Sequence, residues 1–97
     1  MAQFLILLKP PRENFLETIT EREQNLATEH FYYYKELLNR KILFLAGRTD
    51  DAEMGIGIMT AENEKEMAKI VNADPAVMGN MFTATIKPFS VALLDKE

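Results

Sequence analysis

Two uninterrupted apolar runs, Phe4 to Leu8 and Ile42 to Ala46, constrain the fold of this 97-residue chain more than any other feature. Each is far shorter than the ~20 residues a membrane-spanning helix requires. Each also stops abruptly. The first meets Lys9-Pro10-Pro11, where two prolines remove successive amide donors. The second meets Gly47, Arg48 and the polar turn Thr49-Asp50-Asp51. They read as strands one and two. A strand in an antiparallel sheet with one wet face alternates apolar with polar residues, and neither run does so. Both strands are therefore expected to be buried on two faces. For a chain this small the expected cover is a second copy, giving a homodimer with sheets face to face.

From Asn14 to Asn39 the apolar residues Ile19, Leu26, Phe31, Tyr33, Tyr34, Leu37 and Leu38 fall at the spacings of one long amphipathic helix. Asn14 with Glu17 fits a capping box, and Thr18 or Thr20 offers a second start after a break. Met54 to Met59 alternates Ile56 and Ile58 with glycines, which suits a third strand whose backbone packs closely on one face and which pairs with the second through a hairpin. Thr60 or Asn63 caps a shorter helix, with Glu66 at the right offset from Asn63 and Met67, Ala68, Ile70 and Val71 as its apolar stripe. That helix is expected to stop near Asp74-Pro75, because a residue before proline avoids the helical region. After Met78-Gly79-Asn80, the residues Phe82, Ala84 and Ile86 alternate with Thr83, Thr85 and Lys87. Strand four is expected to resume after a bend at Pro88 and to run on through Phe89 to Leu94. The order is βαββαβ, a ferredoxin-like α+β domain with both helices on one face of a four-stranded antiparallel sheet. At this length a single domain spans residues 1–97.

Composition narrows the chemistry. Eleven basic residues stand against fifteen acidic ones, a net charge of -4, with no cluster of Lys and Arg. Nucleic acid and anionic membrane are disfavoured as partners. The absence of cysteine excludes disulfides, thiolate metal sites and a cysteine nucleophile. One histidine, His30, remains, and neither paired histidines nor a carboxylate-rich calcium loop accompanies it, so no metal is expected. Met1-Ala-Gln leads into the first strand without a basic leader, and a cytoplasmic location is the expectation.

His30 lies four residues after Leu26, four before Tyr34 and seven before Leu37, on the stripe of helix one that faces the sheet. Asp74 falls three, four and seven residues after Val71, Ile70 and Met67, on the apolar side of helix two at its C-terminal end, where the helix dipole disfavours a carboxylate. Taken separately, each has a plain structural reading: a core histidine bonded to a carbonyl, and an Asp-Pro turn bonded to nearby amides. Taken together they suggest a pair, because a buried aspartate needs a partner and both helices cover the same sheet face. Such a pair orients one ring nitrogen and leaves the other free to take or give a proton. Arg48 ends strand two after Ala46-Gly47, where the glycine admits a ligand or backbone and the guanidinium can pin an oxyanion, or simply sits in solvent. Tyr34 belongs to the His30 stripe as core or as pocket wall. Ser90, the only serine, stands near neither His30 nor Asp74 in sequence, and the methionines read as gap-fillers.

The order and separations of Arg22-Glu23-Gln24, His30, Leu37-Leu38, Ala46-Gly47, Asp74-Pro75 and Ile86-Lys87-Pro88-Phe89 resemble the YciI-like (YCII-related) family over nearly the whole chain. The resemblance implies a dimeric α+β barrel of ferredoxin-like protomers with an active site on His30 and Asp74. This sequence has Arg48 where many members have proline. The family looks similar to a dehydrochlorinase acting on a chlorinated hydroxyhydroquinone and to small isomerases and cofactor-free oxygenases that share the barrel, but a shared fold does not transfer a substrate.

The leading expectation is a cofactor-independent lyase or isomerase in which His30 moves a proton on a small aromatic or enolisable substrate. Asp74 orients it, and Arg48, Tyr34 and Gly47 contact the substrate. The alternative is a non-catalytic module that binds a small ligand or a partner and keeps the His-Asp pair for its structure. A cofactor-free monooxygenase is a third reading.

Overall fold

The computed structural model describes residues 1–95. Eight elements follow one another: β1 (Ala2–Lys9), α1 (Phe15–Thr18), α2 (Glu21–Asn39), β2 (Leu43–Arg48), β3 (Gly55–Ala61), α3 (Glu64–Asn72), α4 (Pro75–Met78) and β4 (Thr83–Pro88). The strands form one antiparallel sheet in the order β2-β3-β1-β4. This is the α+β arrangement expected from the order of elements, with two short helices added.

Register decides which side chains meet. Ile6 stands opposite Gly57 on one side and Ile86 on the other, so this row faces the helices. Phe4 and Leu8 share that face, and the three are buried against Tyr34, Leu37, Leu43, Met59, Met67 and Val71. Gly57 fits here because a Cβ would meet the Tyr34 ring at 3.5 Å and Leu43 at 3.7 Å. The close backbone approach expected of the third strand is thus real, and Tyr34 is what approaches.

On the other face Leu45, Ile58 and Leu5 form one row and Ile56 and Leu7 the next. Within one chain this face is uncovered, so β1 alternates buried with half-buried residues rather than being sealed on both sides. A register shift between Leu43 and Leu45 accounts for the apolar run of β2. The bulge puts two successive residues opposite one, leaving Phe44 48% and Leu45 55% exposed. Two-sided burial of strands one and two is therefore not a property of the single chain.

The first helical segment breaks at Ile19-Thr20, and of the two starts offered by the sequence Thr20 is the one capped, in a box with Glu23; the Asn14–Glu17 box is not formed. The Thr20 hydroxyl accepts from Glu23 N–H at 3.1 Å, and Glu23 Oε1 accepts from Thr20 N–H at 2.9 Å. Arg12 also grips Glu23, through two charge-assisted bonds of 2.7 and 2.8 Å. Asn14 instead adopts a left-handed conformation without a side-chain cap bond. A second small cluster of Phe15, Ala76 and Met81, packed with Leu26 and Phe82, ties α1 and α4 to α2.

At the other end of the chain β4 stops at Pro88, and the expected continuation through Phe89 to Leu94 is not a strand. Phe89 N–H donates to the Gln3 carbonyl at 3.0 Å and Val91 N–H to the Gln3 side chain at 3.2 Å. Proline offers no donor to continue the ladder.

Candidate active site

His30 projects from the sheet-facing side of α2 toward the start of α4. Its Nδ1 lies 2.6 Å from Asp74 Oδ2. Asp74 is only 1% exposed, and its other oxygen accepts from Ala76 N–H at 2.9 Å. The two readings of this aspartate, local cap and histidine partner, therefore hold at once, one on each oxygen. Asp74 does not stand at the C-terminal end of the second helix, where the dipole would disfavour it. α3 ends at Asn72, and Asp74 is the N-cap of α4, with Pro75 as its first residue. A carboxylate accepting amide bonds at a helix start is favoured. Backbone bonds from Val77 and Met78 N–H to the Asp74 carbonyl complete the anchoring.

Aromatic rings hold the imidazole from two sides, Tyr34 at 4.3 Å between centroids and Phe82 edge-on at 5.2 Å. Phe82 is itself braced by Phe15 at 6.3 Å. His30 Nε2 has no protein partner among the described residues, and no side-chain nitrogen or oxygen there is both sealed and unbonded. The second nitrogen therefore opens onto a cleft of about 640 Å³.

That cleft lies between α1, α2 and the β2–β3 hairpin, and His30, Tyr34, Gly47 and Arg48 all line it. Asp74 does not, standing behind the imidazole. Gly47 pairs with Ile56, in the row on the open sheet face, so a Cβ there would project away from the helices; it would meet nothing within 4 Å, and no neighbouring backbone requires the glycine. Arg48 shares its row with Gly55 and Leu8, which puts it on the helix-covered face. Its Nη1 donates to the carbonyls of Thr49 at 3.1 Å and Asp50 at 3.2 Å.

The three tyrosines divide as their spacing requires. Tyr32 is exposed, Tyr33 donates to the Ile70 carbonyl at 2.6 Å and so locks α2 to α3, and Tyr34 enters the core beside His30. Burial pushes the Tyr34 phenol well above its usual range, and the charge of Asp74 and then Tyr33 push the same way. Tyr33 is raised for the first two of these reasons.

Sequence reasoning missed Phe82 as a wall of the imidazole site and Lys35 as a cleft residue. Phe82 carried no signal beyond strand alternation. Lys35 did carry one, since with Phe31 and Leu38 it forms a second stripe at i, i+4 and i+7, and all three line the cleft. Among the described residues no group of three or more His, Asp or Glu side chains could hold a metal, and no helix is long and apolar enough to cross a membrane.

An antiparallel α+β sheet with a buried His-Asp pair at the floor of an apolar cleft defines the class of site, and the chain belongs to a family that fits it. The model of the YCII-related domain matches residues 3–90, so the protein is a member of that family. Among solved structures, the chain is similar to the 5-chloro-2-hydroxyhydroquinone dehydrochlorinase of Burkholderia phenoliruptrix in complex with 2,5-dihydroxybenzoquinone. The likeness has a TM-score of 0.70 and 24% identity, covering 93% of this chain and 95% of that one. At that identity it establishes the fold. No curated protein sequence matches the chain.

Proposed function

We propose that this chain is an enzyme of lyase or isomerase type in which His30 moves a proton on a small aromatic or enolisable substrate held in the cleft. The observation that carries this reading is the division of labour on one imidazole: Nδ1 is bound to a buried carboxylate and Nε2 opens onto an apolar cavity. A carboxylate only accepts, so Nδ1 carries a proton and the neutral ring presents its lone pair at Nε2. Nε2 takes a proton from a substrate hydroxyl or carbon. The electron pair left behind either expels a leaving group, as a lyase requires, or is reprotonated elsewhere by the same imidazolium. Asp74 orients the ring and stabilises the imidazolium charge. Tyr34 stays protonated and donates to a substrate oxygen, Arg48 steadies negative charge, and the Gly47 backbone borders the substrate. Dehydrochlorination, the reaction in the name of the structural neighbour, belongs to the lyase class and supports this reading.

We also propose that two copies pair through the open sheet face, since Leu5, Leu7, Leu45, Ile56 and Ile58 leave it apolar. This would form the dimeric barrel.

A non-catalytic module is the competing reading. It is favoured by the packing of His30 between Tyr34 and Phe82 and by the capping role of Asp74, which give the pair a purpose without chemistry. Screening wild type and His30→Ala against phenolic, halogenated and carbonyl compounds separates the two. Turnover that falls by about 10² to 10⁴ in a folded variant supports the enzyme. A wild type that binds these compounds without turning any over, together with a variant that no longer folds, favours the module.

A further inference from the structure

We propose that the cleft selects anions: its ligand is a small planar molecule carrying an ionised carboxylate, phenolate or enolate, held by Lys35 and Arg48 while the apolar body lies against His30. This rests on the reading of the cleft as the binding site and deepens it by naming the substrate class. The chain has fifteen acidic residues and a net charge of -4, yet among the described residues no carboxylate lines the cleft. Lys35 and Arg48 are the charged residues that do line it alongside His30. A cationic cleft on an acidic protein runs against the overall field, so it is a local feature of the site.

Among the described residues neither cation has a carboxylate partner. Among the described residues the ion pairs are Arg12 with Glu23, His30 with Asp74 and Lys69 with Glu66. Lys35 instead has its ammonium 5.8 Å from the Phe31 ring centroid and 6.0 Å from that of Tyr32. The two carbonyl bonds of Arg48 use one nitrogen and pin the guanidinium, leaving its remaining N–H groups for a ligand oxygen. Lys35 follows Tyr34 on α2, while Arg48 ends β2 on the helix-covered face, so the two cations reach the cavity from different walls.

Both cations are solvent-exposed, so their pull on an anion is modest and screened by salt. The same cations favour the ionised form of a substrate acid, easing removal of its proton by His30. Asp74 would repel an anion, but it lies sealed behind the imidazole.

Benzoate and benzamide make the test, since they share a ring and differ in charge. Chemical-shift titrations at low and high salt give both affinities for wild type, Lys35→Gln, Arg48→Gln and the control Lys69→Gln, which removes the same charge on α3. Benzoate is expected to bind about tenfold tighter than benzamide at low salt and to lose that advantage as salt rises. Each cleft variant should weaken benzoate by about three- to tenfold and leave benzamide unchanged within about twofold, while Lys69→Gln changes neither. Equal affinities, parallel losses for both ligands or no saturable binding of either would overturn the proposal. The measurement needs no turnover. Anion selectivity in a protein without activity would refute only the enzyme reading, and turnover without selectivity would refute only this one.

Discussion

Replacing Asp74 by asparagine separates the two hydrogen bonds of this side chain. Asparagine keeps an oxygen for Ala76 N–H, but the atom then facing His30 is an amide nitrogen, which donates. Nδ1 must become the acceptor, and the proton of the neutral ring moves to Nε2, the nitrogen on the cleft. The wild-type contact is a 2.6 Å bond to a carboxylate. Bonds to charged groups contribute about 1.5–3 kcal/mol and neutral ones about 0.5–1.5, so Asp74→Asn should cost about 1–1.5 kcal/mol. Asp74→Ala is harsher. It strips the cap from Ala76, about 1 kcal/mol, and leaves the His30 Nδ1–H without its partner, about 2–3 kcal/mol more. The gap of about 2 kcal/mol corresponds to a Tm difference on the order of 10 °C for a domain of this size. Thermal unfolding of both variants measures that gap, and a nitrogen-15 correlation through the ring protons reads the tautomer, with one imidazole in the chain and no assignment ambiguity. Any turnover found for wild type should fall by about 10² to 10⁴ in the folded Asn variant. The reasoning fails if Asp74→Asn keeps the wild-type tautomer, or if it unfolds together with Asp74→Ala.

Other expectations follow from the same structure. Arg12, then the Thr20 amide, lowers the Glu23 carboxyl to about 2 from its usual 4.5. A depressed folded-state value means that Glu23 stabilises the fold above about pH 4.5 and loses that contribution as pH falls toward 2. Urea midpoints of wild type should therefore drop across that window more than those of Glu23→Gln. Gly79→Ala would put a Cβ 2.9 Å from Leu26 and 3.1 Å from the Pro75 carbonyl. It should cost about 1–3 kcal/mol by overpacking, whereas Gly47→Ala, with open space, should leave the unfolding midpoint unchanged or slightly raised. Light scattering should find a dimer that Leu45→Glu dissociates; a wild-type monomer would overturn the barrel.

Patterns carried by near neighbours in sequence were legible without a structure. The order of strands and helices followed from runs and periods, and His30 and Asp74 could be paired because each sits at helical spacing on a face that must meet the sheet. Arg48 at a strand end and Tyr34 on the His30 stripe were legible for the same reason. Contacts between distant segments were decided by the tertiary structure. The Thr20-x-x-Glu23 capping box is a local pattern, but the two bonds that Arg12, eleven residues before Glu23, adds to it are not. Asp74 serves two partners because α3 ends before it and a new turn begins at Pro75. Phe82 walls the imidazole, and Lys35 and Arg48 share one cleft, because β-strand register and helix packing bring together residues that lie far apart or on different elements. Periodicity reports which face of an element is buried. Which residues face one another across that buried layer depends on how the elements pack.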